Sequence, residues 1–355
     1  MKLSDFDYHL PEDRIAQEPL ADRSASRMLV VDRQSGKWQD RQFRDLPEFL
    51  RPGDCLVVND SRVFPSRLLG RRAGVRALPV GRKNPRRREH LSGEVEVFLL
   101  HPVAEDLTVW QALVHPGRKM HIGERVRFSD ELEAEIIARG LHGQRTVRLH
   151  CRGDVFACLE KVGHVPLPPY IRRPDRPEDR ARYQTVYARV TGSVAAPTAG
   201  LHFTEQMLEA CQAAGADLAR VTLHVGLGTF EPVRTEEVEE HRIHPEHFSI
   251  EAQQAERMRV ARRLVAVGTT VVRTLETAAR RGGIGPMSGE TDLYIYPGFE
   301  FRVTGAMLTN FHLPRSSLLL LVCAFAGRDL TLAAYRHAVE SGYRFYSYGD
   351  CMLII

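Results

Sequence analysis

The chain has 355 residues, 43% of them hydrophobic, and a formal charge of +4, enough to build two domains or one large soluble domain carrying an insertion. Its six cysteines show no CxxC pair and no framework spacing, which excludes a disulfide-framed scaffold and predicts free thiols in a reducing compartment. The first residues, MKLSDFDYHLPEDRIAQ, have no apolar core or small-residue cleavage site, and the longest apolar run, residues 318–326, is too short to cross a bilayer; a cytoplasmic location follows as the expectation.

In chain order, the first strong element is GDCLVVN at 53–59, an apolar run closed by Asn59 and Asp60, which predicts a buried strand running into a turn. Between Arg67 and Gly93 stand nine Lys or Arg against one acid, Glu89. The remainder of the chain is therefore net negative, and this basic, Gly- and Pro-punctuated loop has the composition of either a phosphate-contacting arm or a solvated loop without a ligand. From 94 to 151 the texture becomes EVEVFLL, LTVWQALV, ERVRFS, LEAEIIARG and RTVRLHC, short alternating runs split by turn residues, which predict a small antiparallel barrel or sandwich.

After the barrel, helical spacing returns. Residues 204–214 predict an amphipathic helix with Thr204 as N-cap and Gly215 beyond its end. Strands are predicted at 220–225, 265–267 and 292–296, and helices at 251–264, 269–280 and 330–341. Strands alternating with helices define an α/β main domain with an inserted small antiparallel β-barrel domain. The expected boundaries are 1–66 and 153–355 for the α/β domain, and 67–152 for the barrel with its basic loop at 71–93.

Three stretches carry candidate chemistry. GSVAAPTAGLHF at 192–203 puts glycines and small side chains before a helix start, where main-chain N–H groups meet a ligand; read alone, it is more simply a packed turn with His202 as a satisfied core histidine. HVGLGTFEP at 224–232 ends a strand in Gly226 and Gly228, as in nucleotide-receiving turns, but has no third glycine; His224, Thr229 and Glu231 supply a base, a hydroxyl and a carboxylate. HRIHPEH at 241–247 has histidines on one helical face only if a helix runs through Pro245, which proline opposes, so a polar loop is predicted there rather than a metal site.

Taken together, YHLPEDRIAQEPLADRSASRMLVVD, GDCLVVNDSRVFPSRL, GHVPLPPYIRR, RYQTVYARVTGSVAAPTAGLHFT, VTLHVGLGTFEPV, VGTTVVRTLE, GETDLYIYPGFEFRVTGAMLTNFHLPRSSLLLLVCAFAG and YRFYSYGDCMLI closely resemble the S-adenosylmethionine:tRNA ribosyltransferase-isomerase family of queuosine biosynthesis. Only residues 71–93 depart from that pattern. The resemblance implies transfer and isomerisation of the ribosyl part of S-adenosylmethionine onto 7-aminomethyl-7-deazaguanine at the tRNA wobble position, giving epoxyqueuosine-tRNA, adenine and methionine. The donor is then a consumed co-substrate, with no metal and no true cofactor. The positive sulfur acidifies the neighbouring ribose C5′ hydrogens, and a placed base there is worth on the order of 100- to 10,000-fold.

Under that resemblance His224, Glu231 and His202 are the catalytic candidates, with Asp60 and Asp350 in reserve. Asp60, Thr198, Ala199, Gly200, Gly226, Gly228, Thr229, Arg273, Glu276 and Asp292 are expected around the donor, a helix N-terminus or Arg273 facing its carboxylate and Glu276 or Asp292 its ammonium. Arg23, Arg27, Arg62, Arg67, Arg172, Arg173 and Arg315 are expected on tRNA phosphates, and Tyr170 on an unpaired base. The expected partners are tRNA and S-adenosylmethionine, with no membrane, and the expected state is a monomer or weak dimer. Two other functions compete. An RNA methyltransferase would need a fuller glycine fingerprint, and a non-catalytic RNA-binding module leaves the α/β domain unexplained.

Overall fold

The computed structural model describes residues 1–73, 94–117, 120–140, 143–226, 228 and 233–355. The chain divides into two compact units, Met1–Arg62 with Pro168–Pro174 and Ala181–Ile355, and Val63–Leu167 with Asp175–Arg180.

The larger unit is built on a nine-stranded mixed sheet. Its centre is the Asp54–Asn59 strand, paired in parallel with Asp217–Leu223 on one side and Arg263–Val267 on the other. Thr304–Asn310 continues the parallel run beyond Arg263–Val267, and Cys351–Ile354 then joins it antiparallel. All six residues of the central strand are buried, because helices cover both faces and the sequence there cannot alternate. Cys55 and Val57 point into one core with Val271, Leu275, Leu320 and Tyr335; Leu56 and Val58 point into the other with Phe43, Phe203, Met207 and Cys211. The outermost strand, Lys37–Gln42, is wholly exposed and mostly polar or charged, which discourages pairing with another chain.

Helix ends follow the local chemistry. Thr204 caps Glu205–Ala213 by accepting from Met207 N–H at 3.2 Å, and Gly215 beyond it takes φ +97°. Thr269–Arg280 starts at Gly268, φ +93°, which offers no side-chain cap. The expected strand at 292–296 is a correction: the strand is Met287–Thr291, antiparallel to Glu246–Ile250. Its sequence, MSGET, lies at an edge and buries only Thr291 fully, so it carries little apolar signal.

The smaller unit holds a closed six-stranded antiparallel barrel formed by Arg67–Arg72, Glu94–Pro102, Val109–His115, Arg125–Arg127, Leu132–Arg139 and Gln144–Cys151. Alternation is explicit: Val95, Val97 and Leu99 are buried while Glu94 is exposed. The unit extends past both expected ends of the barrel. Helix Val155–Val162 belongs to it because Phe156 joins Phe64 and Trp110 in one aromatic cluster, with ring centroids 5.6 and 6.2 Å apart. Cys151 and Cys158 are joined in a disulfide, against the expectation of six free thiols, while Cys55, Cys211, Cys323 and Cys351 are free and buried. Most of the basic loop, residues 74–93, lies outside the described residues.

Candidate active site

Three strands of the larger unit, Asp217–Leu223, Arg263–Val267 and Thr304–Asn310, deliver their C-terminal loops to one cavity of about 370 Å³. Its wall comprises residues 195–199, 268–270 and 309–316, with Tyr170, Val225 and Tyr346. A crevice at the carboxyl ends of parallel strands is where open α/β sheets bind ligands, and the volume suits a small molecule. The Thr269–Arg280 helix aims its uncapped N-terminus at this space through Gly268, Thr269 and Thr270, so main-chain N–H groups and the helix dipole favour an anion there. Tyr170 and Tyr346 stack with centroids 4.1 Å apart, and Tyr170 is tied to Ser347 Oγ at 2.6 Å.

Thr198 and Ala199 line the cavity as expected for donor contacts, whereas Gly200 does not. A Cβ on Gly200 would collide with the Tyr187 hydroxyl and lie 2.7 Å from Thr185 Cγ2, so this glycine permits packing rather than ligand approach. His202 is the satisfied core histidine: it is 3% exposed, its Nδ1 pairs with Ser26 Oγ at 2.9 Å, its Nε2 meets Asn310 Nδ2 at 3.3 Å, and Phe43 lies beside its ring. Burial, helped by Arg23 and Arg344, pushes its pKa down to about 3. With both nitrogens engaged and no place in the cavity wall, His202 is withdrawn from the catalytic set.

His224 sits beside Val225 of the wall, with a buried Nδ1 that has no hydrogen-bond partner among the described residues. Burial lowers its pKa to about 4, with the stacked ring of His247, 6.0 Å away, adding to the effect. Its ring fits because Gly192 has no side chain: at φ +153°, a Cβ there would stand 2.7 Å from both Cε1 and Nδ1 of His224. Gly192→Ala is therefore expected to destabilise the chain by on the order of 1–3 kcal/mol and to displace the imidazole. Urea unfolding of this variant, with and without His224→Ala to relieve the clash, measures both effects; additive losses would refute the coupling.

The glycine turn is held from behind. Gly226 N–H donates to Glu246 Oε1 at 2.8 Å, and Glu246 Oε2 is ion-paired with Arg273. Arg273 also donates to the carbonyls of Thr291 and Leu293 at 3.2 and 3.1 Å and is only 8% exposed. It is a buried tie between helix and sheet, outside the cavity wall, and does not face a ligand carboxylate as expected. Glu276 is likewise occupied: wholly buried, it accepts from the N–H groups of Arg302, Val303 and Thr304, from Thr304 Oγ1 and from Arg280. Burial pushes its pKa up, but these donors outweigh burial and leave it below the ordinary value.

Asp292 is exposed and outside the wall, and Gly228 lies near His244 rather than at the cavity. Thr229 and Glu231 lie outside the described residues. Asp60, wholly buried, accepts from Thr222 Oγ1 at 2.6 Å and from Arg189 Nε at 2.9 Å, and Asp350 accepts from the N–H groups of Arg27 and Arg344. Asp60 thus ties side chains together, and Asp350 organises the backbone.

Most arginines expected on tRNA already have intramolecular partners. Arg23 donates to the carbonyls of Gln184, Leu201 and Ala181. Arg27 pairs with Asp40 and lies 3.7 Å over the Tyr343 ring. Arg67 is bidentate on Glu96 in the barrel, Arg173 donates to Gln17 and Pro174 carbonyls, and Arg315 is paired with Asp7. Arg172 also pairs with Glu12, but both side chains are highly exposed, and a pair of that kind is weak enough for phosphate to displace the carboxylate. Arg62 is exposed. Tyr170 and Arg315, expected on RNA, are part of the cavity wall. What sequence reasoning missed is the stretch 309–314 with Ser316, together with Gly268–Thr270 and Tyr346, as cavity wall; the signal for the first was TNFHLPRS, which reads as irregular chain before an apolar helix.

The fold and cavity thus define an α/β small-molecule enzyme with an accessory antiparallel barrel. The profile of the family described as "Queuosine biosynthesis protein" matches residues 3–354. A relative from Solibacter usitatus, named S-adenosylmethionine:tRNA ribosyltransferase-isomerase, is 68% identical over 355 residues, covering 100% of both chains. One of the same name from Symbiobacterium thermophilum is 48% identical over 361 residues, again covering 100% of both. The crystal structure of an S-adenosylmethionine tRNA ribosyltransferase from Thermotoga maritima is 35% identical, with 99% of this chain and 100% of that one covered and a TM-score of 0.54. The chain belongs to the queuosine biosynthesis protein family.

Proposed function

We propose that this enzyme is an S-adenosylmethionine:tRNA ribosyltransferase-isomerase, moving the ribosyl group of the sulfonium donor onto 7-aminomethyl-7-deazaguanine at the wobble position of tRNA and releasing adenine and methionine. The observation that carries the activity is the unbroken likeness along the chain to enzymes of that name. The 370 Å³ cavity is the proposed donor site. Its position at the carboxyl ends of the strands supports this, as do the mostly small or apolar walls and the helix N-terminus ready for the methionine carboxylate. Thr198 and Ala199 would touch the donor directly, and His224, behind Val225, keeps the role of candidate base because it is neutral near pH 7 with one nitrogen unpartnered.

The donor is consumed rather than regenerated in this reading, and no metal or redox group enters. Arg62 and Arg172 are the proposed phosphate contacts among the described residues; Arg23 and Arg27 serve structural ties instead. The proposal keeps a cytoplasmic monomer or weak dimer. Among the described residues no single helix is long and apolar enough to cross a membrane.

One assay tests the activity. Full-length protein is incubated with the donor and with tRNA carrying the aminomethyl base, and small products are separated. Adenine and methionine in equal amounts, with ribosyl mass gained by the anticodon, are expected. S-adenosylhomocysteine would mean methyl transfer, and an unaltered donor would point to a binding module.

A further inference from the structure

Among the described residues lining the cavity, no aspartate or glutamate contributes, and the ionisable groups reduce to Tyr170, Tyr346, Arg315 and His312. Burial raises the two phenols well above their ordinary range, so they stay protonated near neutrality. Arg315 is permanently charged and paired with Asp7. Of these ionisable groups His312 is therefore the one that stands as an unprotonated nitrogen base at neutral pH, since burial holds its imidazole neutral, with a pKa of about 3.

The ring is also fixed in place. The backbone N–H of His312 donates to the Tyr335 hydroxyl at 3.2 Å, and its carbonyl accepts from the Tyr8 hydroxyl. Nε2 is bonded to Thr309 Oγ1 at 2.9 Å, near the end of the Thr304–Asn310 strand, while no described residue is hydrogen-bonded to Nδ1. With Nε2–H donating to Thr309, the lone pair resides on Nδ1. The residue is 8% exposed, yet it lines the cavity.

We infer that His312 is a catalytic proton-transfer residue of the ribosyl-transfer reaction, acting through Nδ1 on the donor, with Thr309 as its positioning residue. The inference rests on the donor site proposed above and moves the role of base from His224, which stands behind the wall, to a wall residue that the sequence reading did not single out. In the step assigned, the C5′–H bond beside the sulfonium breaks, its electron pair stays on carbon, and the proton forms an N–H bond on Nδ1. The imidazolium so formed gives that proton to adenine as the bond from C1′ to the base breaks, and His312 returns to its neutral form. No oxidant, reductant or further reactant is needed. Water is scarce at so buried a ring, so the proton is kept for the leaving group.

Full-length His312→Gln and Thr309→Val are compared with the unaltered enzyme in single-turnover adenine release, in donor affinity by calorimetry, and in uptake of deuterium at C5′ from D₂O. His312→Gln is expected to lose about 100- to 10,000-fold in turnover and all C5′ exchange, with donor affinity changed only a few-fold. Free imidazole should restore part of the turnover of His312→Gly. Thr309→Val should lower kcat and move the pH profile while leaving KM nearly unchanged. Turnover of His312→Gln within tenfold of normal, or retained exchange, overturns the assignment even if adenine and methionine are made. If His312→Gln does not fold, an unaltered kcat and pH profile for Thr309→Val overturns it instead. Failure of the unaltered enzyme to release adenine sinks the parent reading and this one with it, and is told apart by that control alone.

Discussion

Lowering the pH from 6.5 to 5 should destabilise the folded chain by about 3 kcal/mol, through two histidines whose burial resists protonation from solvent. His202 and His312 are 3% and 8% exposed and are pushed to about 3 by burial, while an unfolded histidine titrates near 6.5. Both folded values are depressed, so below pH 6.5 the unfolded chain gains protons that the folded one refuses. Stability is fully present above 6.5 and falls as the pH drops through the window toward 3, by about 1.4 kcal/mol per unit for each group. Two groups over 1.5 units, with the slope at half its limit at pH 6.5 where the unfolded rings are half protonated, give the figure above. His224, pushed to about 4, adds in the same direction with less weight because it is only half-buried. Glu276 acts separately: its lowered pKa protects the fold above its unfolded value near 4.5, and that contribution fades only at more acid pH. Urea denaturation at half-unit intervals from pH 7.5 to 5 measures the slope. His202→Gln, which can still bond Ser26, should remove about half of it. A flat profile between 6.5 and 5 would show that these rings take up protons in the folded state.

The elements legible in the sequence are those whose burial imposes a period. GDCLVVN declared a doubly buried strand, the EVEVFLL and LEAEIIARG alternation declared a barrel, and Thr204 declared its helix start. The opening small-residue loop was legible too, since Thr198 and Ala199 do form cavity wall. What could not be read is which polar group answers which. Nothing in the spacing says that Arg23 will be claimed by three carbonyls, or that Glu276 will be claimed by three successive N–H groups 26 to 28 residues further on. Candidate residues were chosen for their chemistry, and in a folded chain the same chemistry is what satisfies buried polar groups. His202 and His312 illustrate this: the motif with the conspicuous small residues holds a histidine with both nitrogens bonded, while the irregular TNFHLPRS holds the one whose Nδ1 has no described partner.

Glu246→Ala is expected to cost about 3–5 kcal/mol, the range for leaving one member of a buried ion pair without its partner. Arg273 is 8% exposed and projects from the helix whose first residues form the cavity wall; with Glu246 gone its acceptors among the described residues are the Thr291 and Leu293 carbonyls. Gly226 N–H loses its acceptor in the same substitution, so the turn after the Asp217–Leu223 strand is released as well. Both consequences point at the donor site: one loosens the helix that presents Gly268, Thr269 and Thr270, and the other loosens the chain next to Val225 and His224. Activity should therefore fall further than the folded fraction does, with KM for the sulfonium donor rising. Glu246→Gln keeps an acceptor for Gly226 and separates the two, restoring the turn while leaving the guanidinium charge uncompensated. A double substitution, Glu246→Leu with Arg273→Met, removes both charges and should recover much of the stability lost by Glu246→Ala. Recovery of stability without recovery of donor affinity would locate the functional role in the Gly226 tether. A single-variant cost below about 1 kcal/mol would mean that water reaches the pair, and that the helix start is held by the packing of its own Val271 and Leu275 into the core alone.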